Sequence, residues 1–275
     1  MDILQYAPSL RFENGMYVSG STPDISYPDH GNEEFNMIEE FSYWFGHRNA
    51  VLSEAVAKYA PGTTLFDVGG GNGFVSKSLQ EAGINTVLVE PGRTGCMNAR
   101  ASGLKNIICS TLQCAGFADN SLPAVGLFDV LEHIEDDAQF LKDVFRLLKP
   151  GGYFFITVPA YNALWSPEDD HAGHFRRYSL RDLDSKLTKT GFRTHYKSYL
   201  FSILPLPIWL FRSLPSKVGI GKGGGEFARH KKHHGVDNRL YAKLSNFLLK
   251  PELRRIKNGK KVHFGSSCFI VAQKL

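Results

Sequence analysis

The chain lacks two features that would place it in a membrane or outside the cell. No uninterrupted apolar run approaches the roughly 20 residues of a membrane-spanning helix, and the N-terminus lacks the basic and then apolar pattern of a signal peptide. Cysteines are few, and the four present form neither a Cys-x-x-Cys pair nor a zinc-ligand spacing. Free thiols and a cytoplasmic location are therefore expected.

A large excess of charge of one sign is also missing. The 275 residues carry a net charge of +5, which permits an anionic partner but does not require nucleic acid. Hydrophobic residues make up 43% of the chain and charged residues 21%, which is ordinary for a globular protein with a substantial core.

One glycine-rich stretch is the most informative part of the sequence. A strand pattern over 65–68 leads into the order D-x-G-x-G-x-G from Asp67 to Gly73, and a helical pattern follows. Glycines at alternate positions let the backbone turn sharply and let a ligand lie against the main chain. A second apolar strand over 86–89 ends at Glu90, whose carboxylate can accept hydrogen bonds from ribose hydroxyls. This outline predicts a nucleoside-cofactor site.

Asp67 favours one class of nucleoside cofactor over another. A pyrophosphate needs an uncharged turn that is rich in donors, and a carboxylate there would repel it. S-adenosylmethionine carries an ammonium and a sulfonium and no phosphate, so the charge at Asp67 favours it over a nicotinamide dinucleotide. A nicotinamide-dependent dehydrogenase is therefore disfavoured.

Apolar strands alternate with amphipathic helices through the middle of the chain. Strands are predicted at 65–68, 86–89, 106–109, 124–128, 153–158, 193–199 and 267–272. This pattern predicts an α/β fold with a mostly parallel sheet and helices on both faces. Four segments are expected: an N-terminal arm and helical cap at 1–60, a cofactor-binding core at 61–199, an insertion at 200–262 and the final strand at 263–275.

The arm and the insertion carry predictions of their own. Residues 1–31 are predicted to be irregular, and a helix is predicted to bury Phe35, Ile38 and Phe41. A helix pair is predicted at 238–257, with Leu240, Leu244, Phe247 and Leu248 on its inner face.

Further motifs follow the glycine stretch in a fixed order. They are LFDVLEHIED at 127–136, LLKPGG at 147–152 and GSSC at 265–268. Together with the glycine stretch and Glu90, they resemble the class I S-adenosylmethionine-dependent methyltransferases of the small-molecule type. The segment DHAGHFRRY at 170–178 is similar to a Gly-His-x-Arg-Arg-Tyr signature of one subgroup, and FGHR at 45–48 is similar to an upstream aromatic-Arg segment of that subgroup.

The resemblance implies a Rossmann-like, seven-stranded sheet whose last strand is antiparallel. It implies that the cofactor's methionine part is held by Asp67, Gly69, Gly71 and Gly73, and its ribose by Glu90. Pro91 would lie beside the ribose and adenine, Thr111 and Leu112 would meet the adenine, and Phe128 would border the cofactor. Many relatives carry an acid near Thr111, which is missing here, so Gln113, a backbone group or packing alone is left to hold the adenine.

Three histidines are candidates for the base that takes a proton from the methyl acceptor. His133 follows the fourth predicted strand, and a neutral imidazole can accept a proton from a hydroxyl group. His171 and His174 follow the fifth strand, at the same edge of the sheet. His133 could instead orient the substrate or cap the next helix.

The RRY part of the signature, Arg176, Arg177 and Tyr178, is predicted to contact the substrate, because guanidinium groups bind carboxylates and phosphates. The alternative is an internal clamp in which an arginine pairs with Asp169 or Asp170. Asp169, Asp170, His171 and His174 have the side chains of metal ligands, but their spacing matches no dedicated motif, and no metal is predicted.

The insertion allows two interpretations. Its apolar stretch, 199–211, contains two prolines and forms either a cover over the active site or a surface that meets lipid. The basic run at 229–234 is either solvated or in contact with anionic headgroups or a phosphorylated substrate.

The leading hypothesis is a methyltransferase that acts on an oxygen, or less readily a nitrogen or carbon, of a small or lipid-linked metabolite. In this hypothesis the insertion supplies the cover over the substrate, and the alternative for 199–234 is peripheral contact with the inner membrane face. The alternatives are a non-catalytic cofactor-binding or interaction protein and a nucleic-acid methyltransferase. A nucleic-acid methyltransferase lacks support, because the sequence contains neither the Asn/Asp-Pro-Pro-aromatic motif nor a Pro-Cys nucleophile after the fourth strand. No nucleic-acid partner is expected.

Overall fold

A nine-stranded sheet forms the centre of the computed structural model, which describes residues 2–20, 42–217 and 239–275. In these residues the strands run in the order β1-β2-β5-β4-β3-β6-β7-β9-β8. They are β1 (Arg11–Glu13), β2 (Met16–Val18), β3 (Leu65–Val68), β4 (Thr86–Glu90), β5 (Ile107–Cys109), β6 (Leu122–Phe128), β7 (Leu148–Pro159), β8 (Phe192–Leu200) and β9 (Ser267–Lys274).

The order in which successive strands are added to the sheet reverses at β3: β4 and β5 lie on one side of it, and β6 and β7 lie on the other. This strand pairs in parallel with β4 on one side and with β6 on the other, and β6 pairs in parallel with β7. A ligand crevice is expected outside the carboxyl ends of the strands at such a switch point. β9 is antiparallel to both of its neighbours, β7 and β8, as the family resemblance implies.

The sheet has nine strands in the described residues, where seven were expected. The two additional strands, β1 and β2, form a hairpin in a segment that was predicted to be irregular, and β2 then pairs with β5. Asn14 and Gly15 make the turn and both have positive φ, 51° and 77°. Asn-Gly between two short extended runs is a strong hairpin signal that our sequence analysis overlooked.

Helices cover both faces of the sheet. They are α1 (Tyr43–Tyr59), α2 (Phe74–Glu81), α3 (Arg93–Ala101), α4 (Asp137–Leu147), α5 (Pro167–His171), α6 (Leu180–Thr190), α7 (Pro205–Ile208), α8 (Leu214–Lys217) and α9 (Arg239–Lys257). Short 3-10 turns lie at Leu131–His133 and Asn162–Leu164, and a π-helical turn at Trp209–Ser213 joins α7 to α8. The predicted helix around Phe35, Ile38 and Phe41 and the basic run at 229–234 lie outside the described residues.

Two large buried clusters lie on opposite faces of the sheet, and a smaller third cluster contains Leu88, Cys96 and Ile107. Phe66 and Phe154 point to the face covered by α4 and α6, while their neighbours Leu65 and Phe155 pack under α1, α2 and α9. Strands that are apolar on both faces are typical of a covered parallel sheet. Among the described residues, no helix is both long and apolar enough to cross a bilayer.

Residues 239–257 form one helix, α9, where a pair was predicted, and Pro251 lies inside it. Its predicted inner face was also wrong, because Leu244, Phe247 and Leu248 are exposed. The buried positions are Ser245, Leu249, Glu252 and Ile256. The face of α9 that packs against the core thus contains a charged residue, Glu252, and apolar patterning alone does not predict such a face. The side chain of Leu240 is outside the described part of α9. The division of the chain into four segments stays a prediction.

Glu252 joins three distant parts of the chain. Its Oε1 accepts a hydrogen bond from Phe201 N at 2.6 Å and lies 2.8 Å from His47 Nε2, and its Oε2 accepts from Ser202 N at 2.7 Å. Burial would raise the pKa of this carboxyl group, but the hydrogen bonds from His47 and Ser202 lower it below its usual value. The carboxylate thus fixes α9 to α1 and to the turn after β8.

We expect Glu252→Ala to lower the free energy of unfolding by about 3 kcal/mol, because the buried donors that it satisfies lose their acceptor. The control is Glu54→Ala, which removes the exposed pair of Glu54 and Lys257 between the same two helices. This exposed pair contributes less than about 1 kcal/mol. Urea denaturation followed by circular dichroism measures both, and equal losses would contradict the role of Glu252.

Candidate cofactor and acceptor site

The glycine bend after β3 adopts a backbone that favours glycine at three positions. Gly69, Gly71 and Gly73 have φ of 70°, 54° and 77°. A Cβ at Gly73 would lie 2.4 Å from Leu104 Cδ1, so a side chain does not fit there. Residues 69–71 remain half-exposed. The bend is therefore open toward the carboxyl edge of the sheet.

Glu90 ends β4 beside this bend. Its Oε2 accepts a hydrogen bond from Gly71 N at 2.9 Å, and its Oε1 accepts from Gly92 N at 2.7 Å. The carboxylate therefore holds the bend to the loop after β4. Its place at the end of a parallel strand next to the glycine turn is the one expected for an acid that binds ribose.

Asp67 lies beneath the bend and is only 1% exposed. Its Oδ2 accepts a hydrogen bond from Ser76 Oγ at 2.8 Å, which ties β3 to α2, while Oδ1 has no hydrogen-bond partner in the part of the chain described. Burial raises the pKa of Asp67 to about 6. An unpaired carboxylate oxygen under a turn of small residues suits a ligand that carries positive charge and no phosphate.

The other predicted cofactor residues follow neighbouring strands at the same edge. Pro91 and Thr111 are half-buried, and Leu112 and Phe128 are buried. Thr111 Oγ1 accepts a hydrogen bond from Cys114 N at 3.2 Å. In the middle of β6, a Cβ at Gly126 would lie 2.4 Å from the Phe128 ring, so this glycine makes room for that ring. Gln113 is exposed.

Arg48 and Asp129 form an ion pair at this edge that our sequence analysis did not predict. Asp129 follows β6 with a positive φ of 58°, and its Oδ2 accepts a hydrogen bond from Arg48 Nη1. The Arg48 guanidinium lies over the rings of Trp44 and Phe45, at 4.7 Å and 5.0 Å from their centroids. The aromatic-Arg segment at 45–48 was the available signal, and it connects α1 to the end of β6.

Two of the three candidate histidines are brought together. The rings of His133 and His174 are in edge-to-face contact with centroids 4.7 Å apart. His174 Nδ1 lies 2.8 Å from Asp169 Oδ1. Burial and the neighbouring His174 lower the pKa of His133 to about 4, so its imidazole is neutral at pH 7. His171 is exposed in the last turn of α5 and lies outside this cluster.

Glu132 stands beside the two histidines and was not predicted as a site residue. Its side chain is buried, and burial together with the nearby charge of Asp129 raises its pKa well above the usual value. Its Oε2 makes no hydrogen bond with any residue that the structure describes.

The three side chains of the Arg-Arg-Tyr segment make hydrogen bonds to other residues of the protein. Arg177 donates from Nε and Nη2 to the two carboxylate oxygens of Asp169, at 2.7 Å and 2.9 Å. Arg176 donates to the carbonyls of Ile134 and Glu135, and Tyr178 Oη donates to Asp137. This is the internal clamp that the sequence offered as an alternative. Contact between these residues and the substrate stays a prediction.

Asp169 is the centre of that clamp. Burial would raise its pKa, but hydrogen bonds from His174 and Arg177 lower it to about 2. The same carboxylate also accepts hydrogen bonds from Ser166, which caps α5. One buried acid thus orients His174 and fixes the loop after β7. Its neighbour Asp170 accepts instead from Trp165 Nε1 at 3.0 Å.

Comparison with known proteins gives one family match. The model of the Methyltransferase domain family matches residues 44–197, which contain the glycine bend, Glu90 and the histidine cluster.

Curated relatives match the same region. The chain is 27% identical over 166 residues to a probable S-adenosylmethionine-dependent methyltransferase of Mycolicibacterium smegmatis, covering 59% of this chain and 64% of that protein. It is 30% identical over 159 residues to an uncharacterized methyltransferase of Mycobacterium tuberculosis, covering 52% of this chain and 58% of that protein. The chain thus spans somewhat less than two thirds of each relative's length.

Solved structures share the fold at low sequence identity. A phosphoethanolamine N-methyltransferase of Haemonchus contortus, in complex with S-adenosylmethionine, aligns with a TM-score of 0.56 and 18% identity, covering 90% of this chain and 57% of that one. A Thermotoga maritima protein described as a possible histamine N-methyltransferase aligns with a TM-score of 0.55 and 16% identity, covering 90% and 95%.

We expect Glu90→Gln to weaken the binding of S-adenosylmethionine by about tenfold or more, because an amide nitrogen replaces one of two acceptors at the mouth of the bend. Isothermal titration calorimetry measures the affinity. The control is Glu81→Gln, an exposed acid at the end of α2. If Glu90→Gln binds as the unmodified protein does, Glu90 does not hold the cofactor.

Proposed function

Since the chain belongs to the Methyltransferase domain family, we propose that it is an S-adenosylmethionine-dependent methyltransferase that methylates an oxygen of a lipid-linked acceptor at an anionic lipid surface. The observation that carries this proposal is the contact of His133 with His174, which Asp169 orients, together with exposed apolar segments near the same edge of the sheet.

When bound, S-adenosylmethionine supplies the methyl group, made electrophilic by the sulfonium charge. The residues assigned to hold it are the bend from Asp67 to Gly73 and the acid Glu90, with Pro91, Thr111, Leu112 and Phe128 around the adenosine. The buried, unpaired oxygen of Asp67 supports this assignment, because it complements a cationic ligand.

The histidine pair supports an oxygen as the methyl acceptor. A hydroxyl group is a weak nucleophile until its proton is removed or partly transferred, which requires a group at the acceptor position. His133 follows β6 and His174 follows β7, and these parallel strands end at the same edge as β3. A neutral His133 can accept a hydrogen bond from the hydroxyl, and Asp169 fixes the ring of His174.

The exposed apolar segments support a lipid-linked acceptor. The helical stretch at 205–217 follows β8, which runs parallel to β7 because both are antiparallel to β9, so it leaves the sheet at the cofactor edge. Leu206, Trp209, Leu210, Phe211 and Leu214 are exposed there. On α9, Leu244, Phe247 and Leu248 are exposed as well. The inner sides of both segments pack in one core cluster through Leu204 and Leu249.

The charges of these two segments favour an anionic surface. Lys217, Lys243 and Lys250 are exposed among the apolar residues. The sequence contains no Asp or Glu over 201–217 or 239–251. Aromatic and aliphatic side chains with basic neighbours are typical of helices that lie at a lipid interface.

We expect His133→Ala to lower methyl transfer about 100-fold while the affinity for S-adenosylmethionine changes less than about threefold, since the side chain acts on the acceptor. Labelled methyl donor and a lipid extract identify an acceptor, and initial rates and calorimetry then separate the two effects. The control is His195→Ala, an exposed histidine on β8 that contacts Gln273. Unchanged turnover in His133→Ala would remove this residue from the mechanism.

We also expect the double variant Phe211→Ser, Phe247→Ser to bind vesicles with anionic lipid about tenfold less tightly, because two large exposed side chains no longer enter the interface. These residues are 74% and 66% exposed. Co-sedimentation with anionic and with neutral vesicles is the measurement. Phe12→Ser, at a residue that is 63% exposed on β1, is the control. Equal binding by all three proteins would refute the lipid contact.

A further inference from the structure

Glu132, His133 and His174 bring two imidazoles and one carboxylate together outside the cofactor bend. One ligand atom from each residue lies within 4.8 Å of the other two. The first two residues belong to the 3-10 turn after β6 and the third follows β7. Two neighbouring parallel strands therefore deliver the cluster to one point at the carboxyl edge.

Glu132 provides a second, independent observation. Its side chain is 1% exposed, and its Oε2 is buried without a hydrogen-bond partner among the described residues. The two cations whose charges act on Glu132 form ion pairs with other acids, because Arg177 pairs with Asp169 and Arg48 Nη1 pairs with Asp129. Arg48 Nε is buried and makes no hydrogen bond with a described residue. A buried carboxylate oxygen that is left unpaired beside two imidazoles matches the donor set of a metal site.

Asp169 acts on His174 as an outer carboxylate acts on a metal-bound histidine. The 2.8 Å contact at Nδ1 fixes the ring and leaves Nε2 as the nitrogen for a ligand. Asp169 is itself held by Arg177 and by the Ser166 cap of α5. The orientation of His174 is thus determined by the fold.

We propose that Glu132, His133 and His174 bind a divalent transition-metal ion of the Zn²⁺ and Co²⁺ type. Imidazole ligands favour these ions over Mg²⁺ and Ca²⁺, which prefer oxygen ligands alone. Ligands at about 2.1 Å from a tetrahedral ion are about 3.4 Å apart, so the ligand atoms need to converge by at most roughly 1.4 Å. The sequence had led us to expect no metal because the spacing of Asp169, Asp170, His171 and His174 matches no dedicated motif. Glu132 was not among the residues considered.

Binding of the ion is independent of the proposed function, and only the role of the ion in the reaction rests on that function. Three protein ligands leave a coordination position open. An acceptor hydroxyl bound there would release its proton to solvent water more readily, because the ion stabilises the oxyanion. The two histidines would then act on the acceptor through the ion.

Metal binding itself is the test, and it needs no acceptor. The chain also contains His230, His233 and His234, whose imidazoles are potential metal ligands outside the cluster, so the starting protein is the full chain with these three changed to alanine. Untagged, EDTA-treated protein is titrated with Co²⁺ and followed by visible absorption, and calorimetry measures Zn²⁺ and Mg²⁺. We expect one tightly bound Co²⁺ per chain, displaced by Zn²⁺ and not by equimolar Mg²⁺.

Variants assign the ion to the cluster. Glu132→Gln and His174→Gln are each expected to weaken Co²⁺ binding at least tenfold, and His195→Ala is expected to leave it unchanged. Thermal denaturation shows whether each variant is folded. If one of the two cluster variants does not fold, Co²⁺ binding by the other one tests the proposal. Absence of stoichiometric Co²⁺ binding, or equal binding by the cluster variants, would overturn the proposal. Methyl transfer that persists without metal would overturn only the role of the ion in the reaction.

Discussion

Parallel pairing around β3 is the constraint on which the site depends. Because β4 and β6 both run parallel to β3, the glycine bend, Glu90 and Asp129 all emerge at one edge of the sheet. The pairing of β7 with β6 then adds the loop that contains Asp169 and His174. Residues that are far apart in the sequence become neighbours through backbone hydrogen bonds alone. Side-chain contacts refine this arrangement but do not create it.

Buried carboxylates make the side-chain contacts that hold the loops and the covering helices in place. Glu90 holds the bend through two backbone donors, Asp169 holds His174 and Arg177, and Glu252 holds the two covering helices and the turn after β8. A buried carboxylate is costly unless it is paired, and each of these three has several partners. Asp67 and Glu132 differ from these three, because each keeps one buried oxygen without a hydrogen-bond partner among the described residues, and each therefore points to a ligand.

The sequence predicted the α/β core well because its signals are local. The apolar strands and the glycine order each depend on a few neighbouring residues. The missed β1–β2 hairpin had a local signal as well, the Asn14-Gly15 turn. The other failures depend on contacts between distant residues. The exposed Leu244 and Phe247 follow from the burial of Glu252, and the partner of Arg48 lies in another element. The clamp at Arg177 was open to two interpretations until Asp169 was seen beside it.

The place of β9 has a consequence for how the molecule acquires its shape. Among the described strands β8 pairs only with β9, and β9 lies between it and β7. The strand that leads to the apolar helical stretch is therefore joined to the rest of the sheet only through the last strand of the chain. This pairing connects segments that are separated by all of 201–266, and contacts of such long sequence separation form slowly. Damage confined to β9 would detach β8 and the apolar stretch that follows it, while the pairing of β3 with β4 and β6 would remain.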